Sequence, residues 1–344
     1  MMKQPSPLQV FDLLYALAAR DGREEALFGN SVSLARPVVE KSLIGGCCPG
    51  IYLEVPLLGK PCFDLLLGYG EMPPGARFAP GAGFGYQPLF DWFSSLPQGH
   101  GASCGFSMDT GSGETEKPGV YLQHRKKAGL AAPFLDAIGE GGRLSSYLKV
   151  LDRLPEGMPA SYLGLFPGRE KTPLRIGGYM GKSLIAAAAR EPGPLRDCFD
   201  QIGFGAYDGS TLKACGEILS LATHADFQLD ILPDGTVGDV FGLSLSFNGV
   251  RPRQAAEWME AGPGRDMMAL MERWGLSDDR WKLLPGAALS KGVPVETEDG
   301  GEAPLGLAIR FNYAKVKFKA GTPVSAKFYL RLQAGLLPGT AQTK

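Results

Sequence analysis

The residues best equipped for chemistry lie near the C-terminal end, on two runs in which polar and apolar residues alternate. Arg310-Phe311-Asn312-Tyr313-Ala314-Lys315-Val316-Lys317-Phe318-Lys319 passes through Ala320-Gly321-Thr322-Pro323 and returns as Ser325-Ala326-Lys327-Phe328-Tyr329-Leu330-Arg331-Leu332-Gln333. A period of two sends successive side chains to opposite faces of a sheet, so Lys315, Lys317 and Lys319 share one face and Val316 and Phe318 the other. On the return limb Lys327, Tyr329, Arg331 and Gln333 fall together, opposite Phe328, Leu330 and Leu332. This is a hairpin with one apolar and one cationic face. Its plain meaning is an antiparallel pair with a solvated side; its chemical meaning is a cationic wall able to hold an anion. Other alternating runs add polar groups by the same parity. Tyr52 and Glu54 share a face, Asp64 lies on one face of the following run, Arg175, Gly177 and Tyr179 share a face, and Gln228 and Asp230 oppose Phe227, Leu229 and Ile231.

Composition narrows the classes. The chain has 344 residues, 44% hydrophobic and 21% charged, with a net charge of −1, as expected of a globular protein rather than a disordered one. That balance argues against a nucleic-acid or anionic-membrane binder as a whole, so the basic hairpin face is a local feature. The N-terminus lacks a basic stretch leading into an apolar core, and no apolar run is long enough to span a bilayer; a cytoplasmic location is expected. The six cysteines, Cys47, Cys48, Cys62, Cys104, Cys198 and Cys215, form no C-x-x-C pair and have no histidine at ligand spacing, which supports neither a zinc site nor a disulfide framework. Cys104, Cys198 and Cys215 read as small core residues. His100, His124 and His224 lie far apart and carry no metal or triad motif. Gly81-Ala82-Gly83-Phe84-Gly85 superficially suggests a phosphate cradle, but no strand precedes it and no Gly-Lys-Ser/Thr closes it, so it reads as a loop.

These side chains need elements to position them. A helix is expected over Leu8 to Arg20, followed by a hairpin of Ile51–Val55 and Cys62–Tyr69. A helix over Gln87 to Leu96 precedes a second hairpin, Ser103–Met108 and Gly119–Arg125, joined through Asp109 to Glu114. Leu130 to Leu154 is helical with a break near Gly139 to Gly142, and Ser161–Phe166 with Leu174–Met180 makes the third hairpin. Ser183–Arg190 and Pro194–Leu221 are helical; Phe227–Leu232 and Val240–Phe247 pair around Asp234-Gly235, a strong turn dipeptide. Ala255–Trp274 and Asp278–Leu284 are helical again, with Trp258, Met267, Met268, Leu270, Met271, Trp274 and Trp281 as core packing, before the fifth hairpin. Helix then hairpin, five times over and with no separating linker, is incompatible with a doubly wound parallel sheet. The expected fold is α+β: a closed ten-stranded antiparallel barrel with helices outside and the polar face inward, since closure removes the sheet edges. Residues 1–344 form one barrel domain, with an N-terminal helix within 1–30 and a flexible tail over 334–344. An open sheet in a duplicated α+β domain would keep the hairpins and lose the lumen.

This order resembles the ABBA-type prenyltransferases, whose barrel is built from five such units and whose members prenylate aromatic, indole and cyclic-peptide acceptors. The resemblance spans nearly the whole chain and is one of architecture; the Asp-Asp-x-x-Asp signature of another class of prenyl-converting enzymes is absent, as is usual in this family. It implies an allylic diphosphate held by inward Arg, Lys and Tyr side chains, matched here by Arg175, Tyr179, Lys315, Lys317, Lys327, Tyr329 and Arg331. Arg175, Lys317, Lys327 and Arg331 are expected to converge at one end of the lumen. The implied activity is transfer of an allylic isoprenoid (dimethylallyl, geranyl or similar) from its diphosphate to an indole, phenol or peptide. Tyr52, Tyr179 and Tyr329 would shield the cation, Gln228 and Asp230 would line the substrate site, and Glu54 would be the catalytic acid group that accepts a ring N–H. A lumen salt bridge is the competing role for Glu54. No cofactor is required, and magnesium is an optional companion of the diphosphate. The alternative is a non-catalytic barrel that binds a peptide or small anionic ligand as an accessory protein of a modified-peptide pathway.

Overall fold

A computed structural model describes residues 7–44, 49–72, 76–78, 82–110, 117–124, 127–169, 171–247, 249–296 and 302–336. The elements are α1 (Pro7–Ala18), α2 (Ser31–Lys41), β1 (Gly50–Pro56), β2 (Asp64–Tyr69), α3 (Gln87–Ser94), β3 (Ser103–Met108), β4 (Gly119–Gln123), α4 (Ala131–Ala137) and α5 (Leu144–Leu151). There follow β5 (Ala160–Leu165), β6 (Leu174–Met180), α6 (Lys182–Ala188), α7 (Gly193–Ile202), α8 (Gly209–Leu219), β7 (Ala225–Ile231) and β8 (Val237–Ser246). The last are α9 (Ala255–Ala261), α10 (Pro263–Arg273), α11 (Leu284–Ala287), β9 (Leu289–Glu296), β10 (Glu302–Lys319) and β11 (Thr322–Leu336).

Alternation along each strand sets one apolar row against the helices and leaves one polar row facing inward. Antiparallel neighbours run β1-β2-β3-β4-β5-β6-β7-β8-β10-β11, and β11 returns to β1, with Leu53 opposite Leu330 and Val55 opposite Phe328, so ten strands close a barrel. Outward residues such as Leu53, Leu65, Phe106, Leu122, Ile176, Phe241, Val316, Phe318 and Phe328 are buried under the helices. Phe199 of α7 meets Phe241 at 4.7 Å between ring centroids, Trp258 of α9 meets Phe311 at 6.0 Å, and Trp274, just after α10, meets Phe318 at 6.2 Å. Burying such a row is the main reason for the helices to stay on the wall: each fully buried large apolar side chain contributes about 1.5–3 kcal/mol. Cys104, Cys198 and Cys215 are free thiols in this outer core.

The structure adds to the expected elements and divides some. An eleventh strand, β9, pairs with Glu302–Ile309 of β10 and lies outside the closed ring. Its Lys291-Gly292-Val293-Pro294 lacks the apolar alternation that identifies a half-buried strand, and Pro294 directly faces Pro304. Helix α2 carries Pro37 inside it, a residue that argues against helix from sequence. The expected stretch Pro194–Leu221 is two helices because Gly203 takes a left-handed φ of 82° after α7 and Asp208 starts α8, accepting from the Thr211 N–H. Ala255–Trp274 divides at Gly262-Pro263, the latter the first residue of α10. Cys47, Cys48, Gly81, Arg125, most of the β3–β4 turn and the last eight residues, 337–344, lie outside the described residues.

Candidate active site in the barrel lumen

Because every barrel hairpin turns at the same end, the lumen has a turn end and an opposite end where the helices connect. Most of the inward charges collect at the turn end. Arg175 of β6 donates Nε to Asp230 Oδ1 at 2.7 Å and Nη2 to Asp230 Oδ2 at 2.9 Å, a bidentate pair across neighbouring strands. Arg169, in the β5–β6 turn, makes the same fork to Asp109 at 3.0 and 3.1 Å. Both guanidiniums lie against the Phe166 ring, 4.1 Å (Arg169) and 4.6 Å (Arg175) from its centroid. Lys327 of β11 bonds to Asp64 of β2 and sits 3.6 Å from Glu54 of β1. Lys315 and Lys317 of β10 face the same space and have no ion pair among the described residues.

That asymmetry sets the protonation states. Burial opposes the Lys327 cation, but Glu54, Asp64 and Asp109 outweigh it and hold the ammonium above its ordinary range. Asp109 is also buried, yet the Arg169 guanidinium brings its carboxyl down to about 2. Burial pushes Lys317 down to about 8, reinforced by the positive charges of Arg175, Lys327 and Arg169. Lys315 is driven well below the usual lysine range by burial and then by Arg175 and Lys317. A small pocket lies between Arg175, Gln228, Asp230, Gly242, Lys315 and Lys317. A second lies between Ser107, Asp109, Lys117, Gly119, Phe166 and Arg169.

Deeper in the lumen the polar row becomes aromatic. Tyr313 and Tyr329 stack at 3.9 Å, and the Tyr121 hydroxyl donates to the Leu67 carbonyl at 3.0 Å. Burial and the neighbouring Glu54 carboxylate push the Tyr329 hydroxyl far above its ordinary pKa. Several polar atoms here are buried without a partner among the described residues: the Tyr162 hydroxyl, Gln228 Oε1, Ser244 Oγ and Arg331 Nε. Buried polar groups are ordinarily hydrogen-bonded, so these atoms have bonding capacity to offer a polar ligand. Glycines give the tyrosines room. A Cβ on Gly177 would lie 2.1 Å from the Tyr162 ring, and one on Gly68 would lie 2.7 Å from the Tyr121 hydroxyl.

Of the residues singled out by parity, Glu54, Arg175, Asp230, Lys315, Lys317 and Lys327 share the turn end, with Gln228 on the edge of their pocket and Tyr52 and Tyr329 below them. Arg331 departs from the expected convergence. Four residues beyond Lys327 at ~3.3 Å each, it lies about 13 Å along the wall. There its guanidinium is 5.6 Å from the Tyr52 ring centroid. Tyr179 departs too: it is 39% exposed at the opposite rim, paired in register with Asp226. Parity fixes the face of a side chain and says nothing of its depth. Tyr121, Tyr162 and Tyr313 were available to the same parity argument but were not among the expected residues. Arg169 sits in a turn and Asp109 immediately after β3, where no period operates. His124, outside the lumen, is a neutral core histidine; burial lowers it to about 4, and its Nε2 lies 3.4 Å from the Tyr147 hydroxyl. Among the described residues no cluster of three or more His, Cys, Asp or Glu could hold a metal ion, and none of the helices is long and apolar enough to cross a membrane.

No protein-family model matches the chain, and no curated protein matches it in sequence. Solved structures do match in shape. The 5-dimethylallyl tryptophan synthase from Streptomyces coelicolor, in complex with DMASPP and Trp, superposes with a TM-score of 0.55 at 12% identity, covering 96% of each chain. The prenyltransferase PriB, in a ternary complex with L-tryptophan and dimethylallyl thiolodiphosphate, gives 0.53 at 12% identity, again over 96% of each chain. At such identity the likeness speaks for architecture, and it agrees with the strand order and closure described above: this chain has the ten-stranded barrel fold of the ABBA-type prenyltransferases.

Proposed function

We propose that the chain is a prenyltransferase that moves an allylic isoprenoid from its diphosphate to an aromatic acceptor. The observation that carries this reading is the pair Lys315 and Lys317, two lumen lysines with no ion-pair partner among the described residues, next to Arg175 and above a layer of tyrosines. Such unbalanced charge is costly until an anion arrives. A diphosphate seated there would restore the ammonium forms. Heterolysis of the allylic C–O bond would send its electron pair to the diphosphate, where fixed cations in a water-poor site stabilise the leaving group. The allylic cation would remain among the faces of Tyr52, Tyr313 and Tyr329, shielded by their quadrupoles. A ring carbon of the acceptor would then attack, and the ring would lose one proton to restore aromaticity. Glu54 would orient the acceptor through a ring N–H or O–H and raise its nucleophilicity, and Asp64 remains to neutralise Lys327 while Glu54 does so. Magnesium would be a companion of the diphosphate, because Glu54 and Asp64, the nearest paired carboxylates, already share Lys327.

The neighbours in complex with DMASPP and tryptophan, or with a thiolodiphosphate, support the same donor and an aromatic acceptor for this chain. The test is incubation with dimethylallyl, geranyl and farnesyl diphosphates against indoles, phenols and Trp or Tyr peptides, read by mass. One isoprenoid added per acceptor, with release of pyrophosphate, is the expected result; no product from any pairing would sink the proposal. One observation favours a non-catalytic anion-binding barrel instead: Arg175, Arg169 and Lys327 already have carboxylate partners in the wall. Tight binding of the diphosphates with no pyrophosphate release would select that reading.

A further inference from the structure

One amine in the lumen is surrounded by cations. Lys315 of β10 lies directly opposite Lys327 of β11 on one side and Ser244 of β8 on the other, and it faces inward because Ala314 and Val316 are buried on the outer face. Lys317 is its same-face neighbour along β10, and Arg175 lines the same small pocket. The nearby carboxylates are committed elsewhere: Asp230 accepts the Arg175 fork, and Glu54 shares Lys327 with Asp64. Lys315 has neither a hydrogen bond nor an ion pair among the described residues. Burial, Arg175, Lys317 and Arg169 disfavour its ammonium form, with Glu54 opposing them. An amine kept neutral by desolvation and by neighbouring cations is a nucleophile with its lone pair free.

The groups around that amine are those that an anion built on it would need. A Cβ on Gly242 would have Lys315 Cε at 3.6 Å and Gln228 Oε1 at 3.7 Å, so the glycine leaves a methyl-sized gap between the two side chains. Gln228 Oε1 is a buried acceptor without a donor, and Ser244 Oγ is a buried hydroxyl without a partner, among the described residues. A carbamate has one N–H to donate and a carboxylate to accept, which matches Gln228 on one side and Ser244 and Lys317 on the other. We propose that Lys315 is a carbamate-forming site: its amine takes up carbon dioxide, and the carbamate fills the anion seat beside Arg175 and Lys317 when no diphosphate is bound. The Nζ lone pair forms the N–C bond, one C–O π bond opens to leave the negative oxygen, and one proton passes from the nitrogen to water. No oxidant or further reactant is needed. The new anion supplies the ion-pair partner that Lys317 lacks. Carbon dioxide then competes with a diphosphate, because phosphate on the seat favours the Lys315 ammonium, which has no lone pair to offer. The uptake itself does not depend on prenyl transfer.

Incubation of the full chain in isotopically labelled bicarbonate, followed by triethyloxonium ions to fix carbamates as ethyl esters and by peptide mass mapping, tests the site. The fixed label is expected on Lys315, in excess of that on exposed lysines such as Lys60 and Lys149, and saturating pyrophosphate should remove it. K315Q should lose it altogether. K317Q, which keeps the amine but withdraws the cation that stabilises the carbamate, should carry several times less label, and it keeps the test valid if K315Q folds poorly. No label on Lys315, or no more than on Lys60 and Lys149, overturns the proposal, as does label that persists with pyrophosphate bound. Titration calorimetry with pyrophosphate, run in parallel, separates this proposal from the prenyl-transfer reading. Label on Lys315 with no pyrophosphate binding removes the donor site and leaves the carbamate standing; pyrophosphate binding with no label does the reverse.

Discussion

Lys317 is the lumen cation whose charge is most easily read in solution, because burial and its cationic neighbours bring it to about 8. An unfolded lysine titrates near 10.4, so the folded-state value is depressed. Below about pH 8 the protein holds the ammonium at a cost, and that cost disappears as pH rises from about 8 through about 10.4; this group therefore makes stability rise over that window. A bound diphosphate reverses the preference, since it favours the ammonium. Affinity for dimethylallyl thiolodiphosphate should accordingly fall between pH 7 and pH 9, with proton uptake on binding at the higher value. K317Q should weaken binding about tenfold at pH 7 and flatten the slope; a slope equal to the parent's would remove Lys317 from the donor site. Glu54 gives a second prediction. E54Q keeps the shape and leaves Asp64 on Lys327, so turnover should drop about a hundredfold with donor affinity and melting temperature nearly unchanged. Normal turnover, or lost stability without a rate defect, would make Glu54 a lumen salt-bridge residue. Much of this was legible in alternation alone, as Lys315, Lys317, Lys327 and Glu54 show. What alternation could not supply was depth, hence Arg331 among the tyrosines, and partner identity, hence Arg175 already clamped by Asp230.

Strands and turns decide how much room those residues have, and glycine is the instrument. Gly177 of β6 faces inward between Tyr162 and Gln228, and a methyl there would also approach the Phe227 carbonyl to 2.7 Å. G177A should cost about 1–3 kcal/mol in urea unfolding, as overpacking does, and should displace Tyr162. Gly242 of β8 differs: its nearest neighbours would be Gln228 Cβ at 3.2 Å and Lys315 Cε at 3.6 Å, both side-chain atoms. G242A should therefore keep most of the stability while narrowing the pocket beside Lys315, weakening diphosphate binding more than it weakens the fold. If both variants lost stability equally and bound the donor alike, the glycines would be merely structural. The hairpins were readable because their turn chemistry is local, as with Asp234-Gly235, where Gly235 has a φ of 82°. Strand β9 was not, because its pairing is with the overhanging half of β10 and owes nothing to burying an alternating face. Helix α2 was hidden by Pro37 for the same kind of reason: tertiary packing of Ala35, Val38 and Val39 overrides an unfavourable local signal.

Closure ties the whole molecule together, since Ile51 pairs with Leu332 and the first strand is complete only when the last has been placed beside it. Helix-hairpin order made a ring a good inference, but order alone also fits an open sheet; the pairing of β1 with β11 excludes that alternative. Such pairing delays folding, because the entropy of closing nearly the whole chain is spent before the contact forms. It also makes the two halves interdependent. A division near residues 181 to 193 would cut the sheet between β6 and β7, where Arg175 and Asp230 form their bidentate pair and where seven residue pairs stand in register, from Leu174–Ile231 to Met180–Ala225. The tryptophans report on both sides of that line: Trp92 packs against Phe134 in the first half, and Trp258 and Trp274 pack against Phe311 and Phe318 in the second. Thermal or urea unfolding should then be one cooperative transition. Far-ultraviolet circular dichroism should coincide with the fluorescence of variants that retain only Trp92 or only Trp258 and Trp274. Two resolved transitions, one for each tryptophan set, would mean that the halves hold separate cores, and the lumen that places Lys317 and Glu54 in one site would lose its structural basis.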